Sequence, residues 1–191
     1  MTTENENLSP QQSLDVITSM ISQAQGNMQK NSFYFLLWGW TIMIANLGVY
    51  ALIKFTDYPN PFLFWAVVIP SAIISGVYGS RMERNALVIT HLDSITKWIW
   101  MGFGITCFII VFFGKQINWQ INPVILTCAA VPTFVSGVIL RFNPLKFGGI
   151  AFWLTGILAF MIRDENQLLI AATGIAMGSI IPGYALKKRN H

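Results

Sequence analysis

The residue types that carry out chemistry in membrane enzymes and pumps lie outside the long apolar stretches of this 191-residue chain. All Lys, Arg, Asp, Glu and His residues flank or separate six apolar segments. Ion-coupled pumps carry an ionisable residue within the membrane, and intramembrane proteases and metal enzymes need Ser/His, paired Asp or His/Glu sets at depth. The segments contain none of these sets. We therefore expect no enzyme activity, no catalytic residue, no cofactor and no metal site.

Two other groups of residues have simple structural explanations. His91 lies two positions before Asp93 in a polar connection, and a single His near a carboxylate is more often a solvated or helix-capping residue than a catalytic pair. Cys107 and Cys128 lie within apolar segments and have no CxxC spacing, so they behave as small apolar residues. Neither group predicts a reaction.

The apolar segments have the length of membrane-crossing helices. Hydrophobic residues make up 54% of the chain and charged residues only 10%, against about 25% charged in a typical soluble domain. A helix needs about 20 apolar residues to cross the hydrocarbon core of a bilayer. The predicted fold is all-α, a polytopic membrane protein whose six transmembrane helices form three hairpins within residues 31–187. The predicted spans are 33–53, 62–79, 98–114, 120–140, 147–162 and 167–186.

The basic residues predict the orientation, because short cytoplasmic loops are enriched in Lys and Arg. Only Lys54, Lys115 and Arg163 lie on one side of the predicted bundle, and the other nine of the twelve lie on the side that holds both chain ends. We therefore expect both termini in the cytoplasm. Residues 188–191 form a basic tail, which we interpret as part of a stop-transfer cluster and not as a nucleic-acid site.

The N-terminal segment predicts a helix outside the bilayer. Residues 1–8 are polar and predicted to be disordered. Residues 9–12 have the sequence of a helix start, and 9–30 follow as an amphipathic helix. It carries no Lys or Arg before Lys30, which argues against binding flat on a membrane surface. We favour packing beneath its own bundle or at the interface, with partner binding or self-association as the alternative. The partner stripe would consist of Leu14, Ile17, Ile21 and Ala24.

Small residues recur at helical spacing in the second, fourth and sixth spans. Residues four apart share one face of a helix, and small residues on such a face let helix backbones approach closely, which drives association in lipid. We therefore predict that these three spans occupy the centre of the bundle or a subunit interface. The helix-packing residues would be Gly76, Gly137, Gly174, Gly178 and Gly183.

Uncharged polar residues form a second set within the spans. Asn46 is the most polar side chain near the middle of a span. These residues either bond between helices or line one cavity that binds a small solute, and the structural explanation is favoured. The possible pocket would be lined by Asn46, Ser71, Thr106, Thr127 and Thr133, with Thr155 beside them.

Several stretches resemble an uncharacterised family of small bacterial six-span integral membrane proteins. They are residues 9–14 (Ser-Pro-Gln-Gln-Ser-Leu), 32–40, 74–79 (Ile-Ser-Gly-Val-Tyr-Gly) and 181–184 (Ile-Pro-Gly-Tyr). The resemblance covers nearly the whole chain and implies a bacterial cytoplasmic (inner) membrane. Members are often encoded beside a small winged-helix regulator, which implies a membrane sensor or partner role. The three-hairpin layout is also similar to small acid-resistance membrane proteins.

These observations favour one function and leave one alternative. An uncharged core, small-residue stripes and an amphipathic N-terminus are typical of a non-enzymatic membrane scaffold or regulatory partner that acts through helix packing and its cytoplasmic face. Its expected partners are the lipid bilayer and either a second copy of the chain or another membrane or cytoplasmic protein. The alternative is a small-solute-binding transport component, because vitamin-uptake binding subunits also place six spans in a chain of this size.

Overall fold

A computed structural model describes residues 10–85 and 91–189, and gives side chains for 32–82 and 94–189 together with Gln11 and Arg84. The predicted disordered segment 1–8 and the last two residues of the basic tail lie outside the described residues. Outside them also lie the side chains of the predicted partner stripe, Leu14, Ile17, Ile21 and Ala24.

The described residues fold into seven α-helices, one 3-10 turn and one π turn, and contain no strand. The 3-10 turn Pro61–Val67 leads into the second helix, and the π turn Ala176–Ile180 joins the last two. The α-helices are α1 (Pro10–Phe55), α2 (Val68–Asn85), α3 (His91–Phe112), α4 (Ile121–Ile139), α5 (Asn143–Met161), α6 (Asn166–Ile175) and α7 (Ile181–Lys188).

Six stretches of these helices are long and apolar enough to cross a membrane, so the predicted all-α fold with six spans is confirmed. The two predicted spans that are short in the sequence, 98–114 and 147–162, gain length from flanking residues. The six stretches are Ser32–Phe55, Pro61–Met82, Ser94–Phe112, Ile121–Ile139, Asn143–Met161 and Asn166–Lys188.

α1 runs without a break through the predicted boundary between the amphipathic helix and the first span. The sequence predicts a helix over 9–30 and a separate span from residue 33, whereas the backbone is one helix of 46 residues. After Pro10, α1 contains no proline that would interrupt its hydrogen bonds. Gly26, the glycine nearest the predicted boundary, costs only about 1 kcal/mol of helix propensity, which is too little to break the helix. The favoured interpretation of residues 9–30, packing beneath the bundle or at the interface, stays a prediction, because the side chains of 12–31 lie outside the described residues.

A short turn holds α4 and α5 side by side. The Phe142 N–H donates to the Gly137 carbonyl at 2.9 Å, and the Arg141 N–H donates to the Val138 carbonyl at 3.1 Å. This pair of bonds is the Schellman pattern of helix ends. Arg141 has φ 49° at the position that usually holds glycine. The chain therefore reverses at once, and α5 packs along the length of α4.

Two adjacent glycines let α5 approach both of its neighbours. A Cβ atom on Gly149 would lie 2.9 Å from the backbone nitrogen of Phe134 and 3.0 Å from the carbonyl oxygen of Ala130, both in α4. A Cβ atom on Gly148 would lie 2.7 Å from the carbonyl oxygen of Gly178 in the π turn. Backbone therefore meets backbone at both interfaces, and only glycine leaves the room for it.

Four of the five glycines predicted to pack lie at such contacts, and one does not. Gly137 faces Lys146 of α5, Gly174 and Gly178 face α5 side chains, and Gly183 faces Leu36 of α1. Gly76 makes no such contact within the described bundle, so for this residue only the subunit-interface alternative stays a prediction. No described atom lies within 4 Å of the place where its Cβ would be.

The helices divide into a packed core and two lightly attached helices. α4, α5 and the α6–α7 span contact one another, and α1 packs along the α6–α7 span. α2 contacts mainly α1 and its own 3-10 turn, and α3 contacts mainly α4. In the most apolar window of each span, 50% of residues are buried for the sixth, 6% for the second and 0% for the third. The fourth and sixth spans thus lie in the core, as predicted, but the second lies at its edge.

We expect Gly149→Ala to destabilise the bundle by roughly 1–3 kcal/mol, because its new methyl group meets backbone atoms that cannot move aside. Gly76→Ala is the matched control. It adds the same methyl group to open space and gains up to about 1 kcal/mol of helix propensity. Unfolding in mixed detergent micelles measures both. Equal stability of the two variants would contradict the α4–α5 contact.

Candidate functional site

The seam between α1 and the end of the chain contains the longest-range polar contacts of the described bundle. The Ser32 hydroxyl donates to the Gly183 carbonyl at 3.0 Å, and the Ser179 hydroxyl donates to the Phe35 carbonyl at 2.8 Å. All four residues are buried. Hydroxyl-to-carbonyl bonds between helices are one of the few attractive forces available in lipid. They fix α1 in rotation and height against the sixth span.

The π turn in the sixth span has a local cause. Pro182 has no backbone N–H, so the Gly178 carbonyl four residues earlier loses its helical partner. The helix widens over Ala176–Ile180, immediately before this proline. Pro182 and Gly183 are both buried against the rest of the bundle. Such turns are frequent at functional sites, and here the turn shifts Ser179 into reach of α1.

Asn46 is fully buried in the core and only half satisfied. Its Nδ2 donates to the Ile42 carbonyl of its own helix at 2.9 Å, whereas its Oδ1 has no hydrogen-bond partner among the described residues. The hydroxyl of Thr133, also fully buried, is likewise unpaired within that part of the chain. A buried polar atom without a partner costs about 1–3 kcal/mol. These two atoms are therefore the best candidates for a ligand contact inside the bundle.

The other predicted pocket residues use their hydroxyl groups elsewhere. Ser71 bonds to Thr41 at 2.7 Å, which ties α2 to α1. Thr127 donates to the Pro123 carbonyl and Thr155 to the Ala151 carbonyl, each one turn back in its own helix. Thr106 bonds in the same way to Gly102 and is exposed on α3.

The structure therefore does not bring the predicted pocket residues together. Thr127 faces Gly156 of α5, Thr155 faces Gly174 of α6, and Thr106 faces outward. The sequence could place these residues in the membrane, but it could not show which helix face each would occupy. It also gave no signal for Ser32, Thr41 and Ser179, because single hydroxyl residues in apolar spans are common.

An aromatic cluster joins α1 to α2 near the end of the bundle that holds most of the basic residues. Phe33 stacks on Tyr78 with ring centroids 3.9 Å apart, and the Tyr34 ring meets Tyr78 edge-on at 5.9 Å. The Trp38 indole N–H donates to the Ser75 hydroxyl at 3.4 Å. Aromatic rings with polar tips favour the membrane interface, so this cluster marks the level of the bilayer surface.

At the other end, one ion pair closes the seam. Lys54 at the end of α1 lies 3.0 Å from Glu165 just before α6. The Glu165 carboxylate accepts hydrogen bonds from its own backbone N–H and from Lys54, and both lower the pKa of Glu165. Both side chains remain well exposed, so the pair contributes little to stability. Among the described residues, no three His, Cys, Asp or Glu side chains cluster to hold a metal.

We expect Asn46→Leu to raise the stability of the bundle by about 1 kcal/mol. Leucine has a similar size and removes a buried amide oxygen that has no described partner. Ser71→Ala is the control. It breaks a satisfied bond between helices and should cost about 0.6 kcal/mol. Mixed-micelle unfolding compares the two. A large loss of stability in Asn46→Leu would show that Oδ1 has a partner in the membrane.

The lowered pKa of Glu165 predicts a pH dependence. The Lys54–Glu165 contact contributes above the pKa that the carboxylate has in the unfolded chain, and is lost as the pH falls through its lower folded pKa. Lys54→Met should raise the pKa of Glu165 only partway, because the backbone hydrogen bond remains. Carboxyl NMR titration measures this, and Lys115→Met is the control. An unchanged pKa in Lys54→Met would contradict the contact.

Comparison with known proteins does not extend these assignments. The chain matches no protein-family model, no curated protein and no solved structure. Its fold rests instead on its own geometry, seven helices among the described residues with six stretches that can cross a membrane.

Proposed function

We propose that the protein is a non-enzymatic membrane scaffold or regulatory partner, acting through helix packing and its cytoplasmic face. The proposal places it in a bacterial inner membrane with both termini in the cytoplasm, because basic residues collect at that end of the spans. In this role the chain holds another protein, or a second copy of itself, at a fixed position relative to the bilayer.

The continuity of α1 is the observation that carries this proposal. Residues 10–31 extend the first span by about 30 Å beyond its start at Ser32, at roughly 1.5 Å per residue. The sequence places Leu14, Ile17, Ile21 and Ala24 on one stripe of that extension. An apolar stripe on a helix that projects from the membrane is suited to helix-to-helix association with a partner.

The seam with the sixth span makes the projecting helix a defined platform. Ser32 and Ser179 bond across to backbone carbonyls, so the rotation of α1 is fixed just below the point where it leaves the membrane. A partner held on this stripe would also be held in register with the membrane-embedded helices.

The small-solute-binding alternative rests on a narrower observation. Asn46 Oδ1 and Thr133 Oγ1 are buried without partners in the part of the chain that the structure describes. The other predicted pocket residues bond to their own helices or to Thr41, which leaves two orphaned atoms to recognise a solute. We keep this function second, because specific binding usually needs several convergent polar groups.

We expect the paired change Ile17→Asn and Ile21→Asn to weaken assembly at least about tenfold, since each buried isoleucine contributes roughly 1.5–3 kcal/mol. The matched control is Ser19→Asn with Gln23→Asn, on the opposite side of the same helix. Native mass spectrometry of protein released directly from its own membranes gives the mass of each assembly.

Each outcome of this experiment decides between the two functions. A homo-oligomer or a co-purifying protein that is lost in the stripe variant and kept in the control supports the scaffold. A wild-type monomer carrying a small molecule that disappears in Asn46→Leu supports the solute binder instead. A wild-type protein that remains a bare monomer, or an assembly equally reduced in both variants, contradicts the scaffold.

A further inference from the structure

α2 carries a groove on its exposed face that the packing of the bundle does not use. The groove encloses about 290 Å³ and is lined by Ile73, Ile74, Val77, Tyr78 and Arg81. These residues repeat at three- and four-residue spacing, so they form one strip along the helix. The strip is aliphatic in its deeper part and ends in a phenol and a guanidinium where the span ends at Met82.

Arg81 places a positive charge at the mouth of the groove. It is exposed and makes no hydrogen bond or ion pair with the residues that the structure describes. Arg84, one turn further along, adds a second exposed positive charge on the same side of the helix.

Tyr78 is held in place beside this charge. Its ring stacks on Phe33 with centroids 3.9 Å apart and meets Tyr34 edge-on, so two α1 residues fix its position. Its hydroxyl has no hydrogen-bond partner among the described side chains or backbone groups. A hydroxyl donor fixed by α1 therefore lies one turn from the exposed guanidinium of Arg81, at the end of an apolar strip.

We propose that this groove binds an anionic glycerophospholipid, with one acyl chain along Ile73, Ile74 and Val77 and the phosphate held by Arg81 and the Tyr78 hydroxyl. Guanidinium groups bind phosphate through paired hydrogen bonds, and basic pockets beside membrane helices recognise anionic headgroups. The site is independent of the partner stripe on the N-terminal part of α1.

Charge argues for lipid over a second copy of α2 in this groove. A two-fold symmetric contact would place the same strip of each copy against the other. The two Arg81 side chains, and the Arg84 side chains next to them, would then face like charges at the interface. An anionic headgroup instead neutralises Arg81, and a hydrocarbon chain fits the apolar part of the strip.

Lipid titration followed by native mass spectrometry tests the site. The probes are phosphatidylglycerol and phosphatidylcholine with identical acyl chains, added to the full-length protein in detergent. Wild type should retain one phosphatidylglycerol in preference to phosphatidylcholine. Arg81→Gln should lower the affinity for phosphatidylglycerol about fivefold and affect phosphatidylcholine less, because the choline ammonium already neutralises the phosphate charge of that lipid. Lys187→Gln, which removes an exposed charge from the same end of the bundle, should retain wild-type binding.

A second variant and a competitor complete the experiment. Val77→Trp should fill the groove and weaken retention of both lipids. If it fails to fold, as judged by circular dichroism and elution volume, the comparison of Arg81→Gln with Lys187→Gln still decides. Inorganic phosphate should leave the bound phosphatidylglycerol in place, because the acyl chain contributes to binding.

Four results would overturn the proposal. They are equal retention of the two lipids by wild type, an equal loss in Arg81→Gln and Lys187→Gln, displacement of the lipid by inorganic phosphate, and a dimer abolished by Val77→Trp. The partner-stripe variants Ile17→Asn and Ile21→Asn should bind lipid normally. Failure of the lipid site is therefore distinguishable from failure of the scaffold.

Discussion

In a bilayer, burying apolar side chains between helices contributes little free energy, because the surrounding lipid tails are as apolar as leucine. The helices must instead be held by close van der Waals contact. Gly148 and Gly149 supply it on α5, where neighbouring backbones approach so closely that an added Cβ would lie 3.0 Å or less from carbonyl oxygens. The core depends on this contact, because it brings α4, α5 and the sixth span into one unit.

The polar side chains follow the same constraint. Most hydroxyl groups in the described spans donate to a carbonyl one turn back in the same helix, as Thr127 and Thr155 do. Ser32 and Ser179 are different, because they cross to another helix and lock α1 against the end of the chain. These hydrogen bonds are directional, and they add to the van der Waals contacts that the glycines allow.

Much of this architecture could be predicted from the sequence, because span length and charge placement act locally along the chain. The six spans follow from hydropathy, and four of five packing glycines lie at contacts. Gly76 shows the limit, since a small residue on a helix face permits close approach but does not choose the neighbour. The predicted pocket residues show the same limit. Thr106 and Thr133 have the same side chain, but the first lies on an exposed helix face and the second on a buried one. The continuity of α1 was missed because the change in polarity near Lys30 resembles a boundary.

The pairing of α1 with the sixth span also has a consequence for biosynthesis. α1 leaves the ribosome before its main partner, the sixth span, has been made, so the bonds of Ser32 and Phe35 form only once Gly183 and Ser179 have been inserted. Until the sixth span is inserted, the hydroxyl and carbonyl groups of α1 that later bond across the seam face lipid or the insertion machinery. A chain stopped before residue 179 lacks that partner altogether. Quality control in the membrane could therefore recognise an incomplete chain by the uncovered face of its first helix.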